Sequence, residues 1–284
     1  MKILIVHYHR FELWHAPSWL REKLQDAFPQ FIVGQLQSYD RVPEEIVDTD
    51  VFIGWSLRPE QFKIANKLRW IHSPAAAVHQ LMYPELINSN VILTNSTGVH
   101  GPVVAEHAIA VLLALAKRLP QAIHYQAKRI WAQELLWNEH PRPREVGDAT
   151  VLVVGMGGIG REFALRAKAL GMKVIATGSA SQVGTTRHPS GKTLFEIADA
   201  VIDTRVPAGD SAVPLKNHVD NVGPVSTMAF VAVVWMTITT VAEILADRGV
   251  KLHIHPSHNV PGDTTARERL DVALDEYKRR IAGV

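Results

Sequence analysis

The sequence contains no cysteine. Disulfide stapling and thiolate metal sites are therefore excluded. An excess of charge of either sign is also lacking. Thirty Lys and Arg stand against 28 Asp and Glu, for a formal net charge of +2. That balance argues against a polyanionic partner such as nucleic acid. The opening MKILIVHYHR has no signal-peptide cleavage pattern and reads as a first buried strand, so a cytoplasmic protein is expected. From Val222 to Ala242 charge is missing altogether. Ser226, Thr227, Thr237, Thr239 and Thr240 punctuate that run, and Gly223 and Pro224 open it. A helix buried in a large α/β domain is expected there, and no membrane span.

A chain of 284 residues, 47% hydrophobic, has room for two domains with sizeable cores. KILIVHY (2–8), FIVGQL (31–36), VFIGWS (51–56), LRWIHS (68–73) and VILTNS (91–96) recur as short apolar runs. Ser18 is placed to cap a helix carrying Leu20 and Leu24, and helical segments near 59–67 and 78–86 separate the later runs. Strands alternating with helices predict a doubly wound parallel sheet, ending near Ser96. A helical stretch over about 103–136 follows, which Pro120 should break or kink. A second α/β unit then reads as strand 151–155, helix 160–170, strand 173–177, helix 191–199, strand 200–204, helix 224–247 and strand 251–256. The fold class is thus α/β with two doubly wound parallel-sheet domains. The last segment has capping-box spacing at Thr265 and Glu268, and an apolar stripe of Leu270, Leu274, Tyr277 and Ile281.

VLVVGMGGIG (151–160) carries the chemistry. Gly155, Gly157 and Gly160 stand directly after a strand and before a helix. The first suits a tight turn, the second lets a pyrophosphate approach the backbone, and the third lets helix and strand pack closely. Gly155, Met156, Gly157, Gly158, Ile159 and Gly160 are therefore the candidate cofactor-binding residues, for NAD or NADP. One expected group is missing. The acid that holds the ribose of NAD should fall near Thr177, yet Phe163 to Phe195 contains no Asp or Glu. Ser179, Ser181 and Arg187 are the alternative, as holders of a 2′-phosphate; an ordinary surface loop is the reading preferred. SGKT (190–193) imitates the end of a P-loop, but Thr186 stands where that pattern needs glycine, so Ser190 is read as a helix cap.

Three motifs carry a resemblance to the D-isomer-specific 2-hydroxyacid dehydrogenases: RWIHSPAAAVHQL (69–81), ILTNSTGVHGPVVAEHAIAVLLALAKRLP (92–120) and VLVVGMGGIGREFALRAKALGMKVIAT (151–177). The resemblance covers about 1–177 and implies a nucleotide domain inserted into a flavodoxin-like outer domain. LDVALDEYKRRIAG (270–283) looks like the helix that returns to that outer domain. The resulting expectation is an outer domain of 1–98 and 264–284 around an inserted domain of 99–263. The resemblance implies substrate-carboxylate binding by the loop at Ala75–Ala77, so Ala76, Ala77 and Val78 are candidate anion-binding residues. It implies a structural role for Asn95, Gly98, Glu106 and His107. It also implies a homodimer through Val104–Trp137, with Trp131, Leu135, Leu136 and Trp137 as apolar surface.

From about 178 to 262 the pattern changes. TRHPSGKTLFEIADAVIDT (186–204), VPAGDSAV (206–213), VGPVSTMAFVAVV (222–234) and SHNVPG (257–262) resemble the latter part of a sugar-isomerase (SIS) domain. The two resemblances together imply a chimera. The dehydrogenase chemistry needs a His acid/base, an orienting Glu and a carboxylate-clamping Arg. The family's Glu and Arg motifs are absent, and His258 and Arg205 are the only candidates for catalytic groups. His7 with His9 and His253 with His255 share strand faces, but no carboxylate joins them at ligand spacing, so no metal is expected. The expectation is a recombined or engineered chimera that folds without efficient catalysis and binds a dinucleotide or small anion weakly at most. The alternatives are an NAD(P)-dependent oxidoreductase acting on 2-hydroxy or 2-oxo acids, and a phosphosugar-binding module.

Overall fold

Residues 3–6 alternate between two cores. Leu4 and Val6 join one cluster with Phe52, Leu57 and Ile71, while Ile3 and Ile5 join another with Val33 and Val51. A strand buried on both faces belongs in the middle of a parallel sheet. That is its position in a computed structural model describing residues 1–155, 157–182, 191–219, 221–252, 254, 256–257 and 261–282.

The chain divides into two compact units, Met1–Val99 and His100–Val284. The first contains β1 (Lys2–Val6), α1 (Ser18–Ala27), β2 (Ile32–Gln35), α2 (Val42–Glu45), β3 (Val51–Gly54), α3 (Pro59–Lys63), β4 (Trp70–Ser73), α4 (Pro84–Ile87) and β5 (Ile92–Asn95). Its sheet runs β2-β1-β3-β4-β5, all parallel, and reverses direction between β1 and β3. This is the doubly wound sheet expected. Ser18 is the first helical residue, with Pro17 as the cap, so its hydroxyl does not cap α1.

The second unit contains α5 (Gly101–Ala116), α6 (Leu119–Ala127), α7 (Gln133–Asn138), β6 (Thr150–Val154), α8 (Gly158–Ala169), β7 (Lys173–Gly178), α9 (Leu194–Ile197), β8 (Ala200–Asp203), β9 (Ser211–Pro214), β10 (Asn221–Pro224), α10 (Ser226–Asp247) and α11 (Ala266–Ala282). Strands β6, β7 and β8 form a parallel sheet in that order. Val153, Val174 and Ala176 on one face meet Ala164, Ala167, Leu194 and Ile197 of α8 and α9. The helical stretch expected over 103–136, with a break or kink at Pro120, breaks twice. Arg118 and Arg129 take left-handed backbone at the two breaks, and Pro120 opens α6.

Four expectations for this unit need correction. Helix α9 has four residues and is capped by Thr193, whose side chain accepts from Glu196 N, with Glu196 reaching back to complete a capping box. Ser190, the expected cap, lies outside the described residues. Strands β9 and β10 form an antiparallel hairpin that the sequence pattern did not announce. In the expected strand 251–256 the described residues 251, 252, 254 and 256 are not in strand. Thr265 does not head a capping box with Glu268: its hydroxyl is held by Asp263 and Arg269. The apolar run is the largest difference. Helix α10 has the length and composition to cross a membrane, yet none of its residues is buried. Its threonines do not report on burial, because Thr237 and Thr239 bond back to the carbonyls of Val233 and Trp235 within the helix. Helix α11 falls within the second unit, and Ala266 and Ala273 are its buried residues.

Candidate functional site

Strand β6 is followed by Gly155, whose φ of 105° is open to glycine at no steric cost. Its N–H donates to Thr177 O at 3.1 Å, tying the turn to β7. Gly157, with φ −69° and ψ 177°, stands at the N-cap of α8. A methyl group at Gly160 would lie 2.6 Å from Gly155 O and 3.1 Å from Val153 Cγ1. Helix and strand are therefore in contact through a position with no room for a side chain. At Gly155 and Gly157 an added Cβ meets nothing within 4 Å, so the turn itself opens onto free space. A cleft of about 500 Å³ runs beside it, lined by Val154, Gly155, Gly157, Ile159, Gly160 and Phe163 among others. The opening lies at the N-terminus of α8, where a helix leaves its first N–H groups without intrahelical acceptors and carries the positive end of its dipole.

Helix α5 braces the same turn. A Cβ on Gly101 would come within 3.4 Å of Gly158 C and O. Arg166 then bridges the two helices, bonding Glu106 at 3.0 Å and Glu162 at 2.5 Å. Those two carboxylates, Glu162 first, raise the Arg166 pKa. Glu106 thus acts as a tie between α5 and α8.

At the ribose end the sequence has no acid on its own strand, and Thr177 is fully buried. Ser179 and Ser181 both donate to Val206 O, the latter at 2.8 Å. Their protons are committed, which removes them as donors to a 2′-phosphate. Arg187 lies outside the described residues. The neighbouring strand carries an acid, Asp203, which is not among the residues lining the cleft. Asp203 ends β8 opposite Gly178. Its carboxylate accepts from Ala180 N and Arg205 N, each at 3.0 Å. Those bonds, the Ala180 one first, hold its carboxyl below the usual range, with the Arg205 charge adding to them.

The catalytic candidates fare differently. Arg205 has a side chain 90% exposed and pairs with Asp203 at 3.1 Å. It does not line the cleft. His258 and Met156 lie outside the described residues.

In the first unit the loop after β4 keeps its donors. None of Ala75, Ala76 and Ala77 is in the left-handed region, so alanine is unstrained there. Ala75 N is taken by Ser73 Oγ at 3.3 Å, and Asn95 holds Ala76 O at 2.6 Å. Among the described residues no protein acceptor meets the N–H of Ala76, Ala77 or Val78. His7 of the proposed histidine pair packs on Trp55, while His9 Nδ1 accepts from Phe11 N at 3.1 Å. Among the described residues no group of three metal-ligating side chains converges. On the arm expected to mediate dimerisation, Trp131 is 88% exposed, and Leu135 and Trp137 are exposed as well.

Residues 109–208 match the NAD binding domain of the D-isomer specific 2-hydroxyacid dehydrogenases. That span contains the whole turn, β6 to β8 and Asp203. A glyoxylate reductase of Korarchaeum cryptofilum is 31% identical over 138 residues, 46% of this chain and 40% of its own. A UPF0309 protein of Streptomyces coelicolor is 35% identical over 144 residues, 49% of this chain and 56% of its own. The chain thus spans about half the length of the curated relatives it matches. Among solved structures, a D-isomer specific 2-hydroxyacid dehydrogenase family protein from Aeromonas salmonicida superposes with a TM-score of 0.53 at 24% identity. That superposition covers 71% of this chain and 58% of the other. It is a likeness of fold.

Proposed function

We propose that the second unit binds NAD or NADP at Gly155–Gly160, and that the chain is an NAD(P)-dependent oxidoreductase acting on 2-hydroxy or 2-oxo acids. The observation that carries this reading is the contrast within the turn. Gly160 is packed against Gly155 O, while Gly155 and Gly157 face open space at the start of α8. Gly155 is needed for its φ of 105°, but neither packing nor backbone conformation calls for glycine at Gly157, which stands clear at the start of α8. The match over residues 109–208 supports the same reading, and lends none to weak or lost cofactor binding.

In this reading the backbone of Gly157, Gly158 and Ile159 holds the pyrophosphate, and Asp203 accepts the ribose hydroxyls. The bound nicotinamide would supply hydride transfer. The free N–H groups of Ala76, Ala77 and Val78 suit a carboxylate, the anionic end of a 2-hydroxy acid. His258 is retained as the acid/base candidate. Calorimetric titration with NAD and NADP, followed by turnover assays with a panel of 2-oxo acids, tests it. Absence of binding by both cofactors would overturn the reading.

A second reading keeps the chimera. The chain is similar to proteins of two different descriptions, a UPF0309 protein over 144 residues and a glyoxylate reductase over 138 residues. The elements after β8 also depart from the alternating pattern before it, as a hairpin and an uncovered helix. Here a dehydrogenase-like part would be joined to the latter part of a phosphosugar-binding domain. Melting shifts with phosphosugars, without turnover of 2-oxo acids, would favour this reading.

A further inference from the structure

The segment 139–149 leads from α7 back to β6 and borders a cavity of about 630 Å³. Leu112, Leu115 and Ala116 of α5 line it, together with Val146 and Met172. Met172 belongs to the core cluster of this unit, and Leu112 and Val146 pack against that cluster. The cavity therefore has an apolar floor that continues into the core. The polar side chains in its lining are Arg142, Arg144 and Thr150, and no acid is among them.

This cavity lies at the opposite end of β6 from the glycine turn. Its lining takes in Ala149 and Thr150 at the start of the strand, and Met172 just before β7. The turn follows Val154, and a parallel strand of five residues is about 16 Å long. Among the described residues Val151 alone is common to the two linings.

The two arginines are held in place but not neutralised. The Arg142 guanidinium lies over the Trp137 ring, 4.7 Å from its centroid. Stacking engages the face of a guanidinium and leaves its in-plane N–H groups able to donate. Arg144 is fixed through its backbone, whose N–H donates to Ala116 O at 2.9 Å. Arg118 and Arg166 of the same unit each hold a carboxylate. Among the described residues Arg142 and Arg144 form no ion pair. Glu139, on the same segment, is taken by Arg118 at 2.9 Å and by Tyr125 at 2.5 Å.

We propose that this cavity is a second ligand site, which takes an oxyanion carried on an apolar body, such as a fatty carboxylate or an alkyl phosphate. The apolar body lies against Leu112, Leu115 and Met172, and Arg142 and Arg144 hold the charged head. Charge complementarity selects this occupant. Two like charges at an apolar cavity with no acid in its lining attract an anion, and the planar fork of arginine matches carboxylate and phosphate oxygens. The volume suits a small molecule, whose sites span about 300–1,000 Å³. The proposal does not rest on the cofactor reading.

Calorimetric titration with decanoate and with decyl phosphate, both below their micellar concentrations, tests it. One or both should bind, and the tighter of the two identifies the preferred head. Decanol, with the same apolar body and no charge, should bind at least about tenfold more weakly. Both arginines are exposed, so R142A/R144A should melt as the parent does. It should bind the anionic probe at least about tenfold more weakly. R142K/R144K keeps the charge without the fork and should fall between the two, which preserves the test should the alanine variant not fold. No binding of either probe overturns the proposal. So does undiminished binding by the variants, which would place the probe elsewhere, as on the exposed α10. Displacement of the probe by NAD would place it in the cofactor cleft and overturn the second site as well.

Discussion

The rings of His7 and Trp55 meet edge to face, their centroids 4.6 Å apart. His7 follows β1 and Trp55 follows β3, the two strands between which the first sheet reverses direction. His7 Nε2 and Trp55 Nε1 are both buried without a protein partner. Burial first, then the charge of His15, lowers the His7 pKa. A histidine whose folded pKa lies below its unfolded value binds its proton more readily when unfolded. Stability is therefore unaffected well above the unfolded pKa of about 6.5 and falls as pH drops through it. Urea unfolding at pH 7.5 and 5.5 should show this loss, with a slope of at most about 1.4 kcal/mol per pH unit for the one proton. His7→Phe should flatten that part of the profile. An unchanged slope in the variant would assign the dependence elsewhere.

The glycines of the turn should separate folding from binding. Gly160→Ala places a Cβ 2.6 Å from a backbone oxygen and should lower stability by about 1–3 kcal/mol. Gly157→Ala meets open space at an ordinary φ. It should melt as the parent does, yet bind dinucleotide at least about tenfold more weakly, because its methyl occupies the approach of the pyrophosphate. Melting curves and calorimetry on the same two variants decide this.

Asp203 sets the expected cofactor preference. A carboxylate at the ribose corner accepts the hydroxyls of NAD and repels the 2′-phosphate of NADP. NAD should bind more tightly, and Asp203→Asn should narrow the gap by about 1 kcal/mol or more. Equal affinities in the parent protein would remove Asp203 from that role.

Helix α10 should behave as exposed surface. Trp235 is 61% exposed, so acrylamide should quench its fluorescence readily in the folded protein. Met236→Lys should change stability by no more than about 0.5 kcal/mol. A larger loss would show that α10 is covered in solution.

Where a residue's partners lie close along the chain, the sequence was legible. The unbroken apolar run from Ile3 to Val6 identified a buried strand, and the spacing of Gly155, Gly157 and Gly160 identified the turn, because both signals lie within ten residues. The placement of Asp203 beside Gly178 was not legible, because it exists only through strand pairing 25 residues apart. The fate of α10 was missed for a related reason. An apolar run reports that a helix forms, while its burial depends on whether other elements reach it. Ser18 illustrates the ordinary uncertainty of one residue at a helix start.

The five-stranded sheet has a consequence for synthesis. All of its strands lie within the first 95 residues, and every pairing in it joins segments of that contiguous stretch. A ribosome adding about 5–20 residues per second needs several seconds more to reach the end of β8, after β5 is made. The first sheet can therefore zip closed while the glycine turn is still untranslated, so that nascent β1 and β3 are already paired when the next apolar strands emerge.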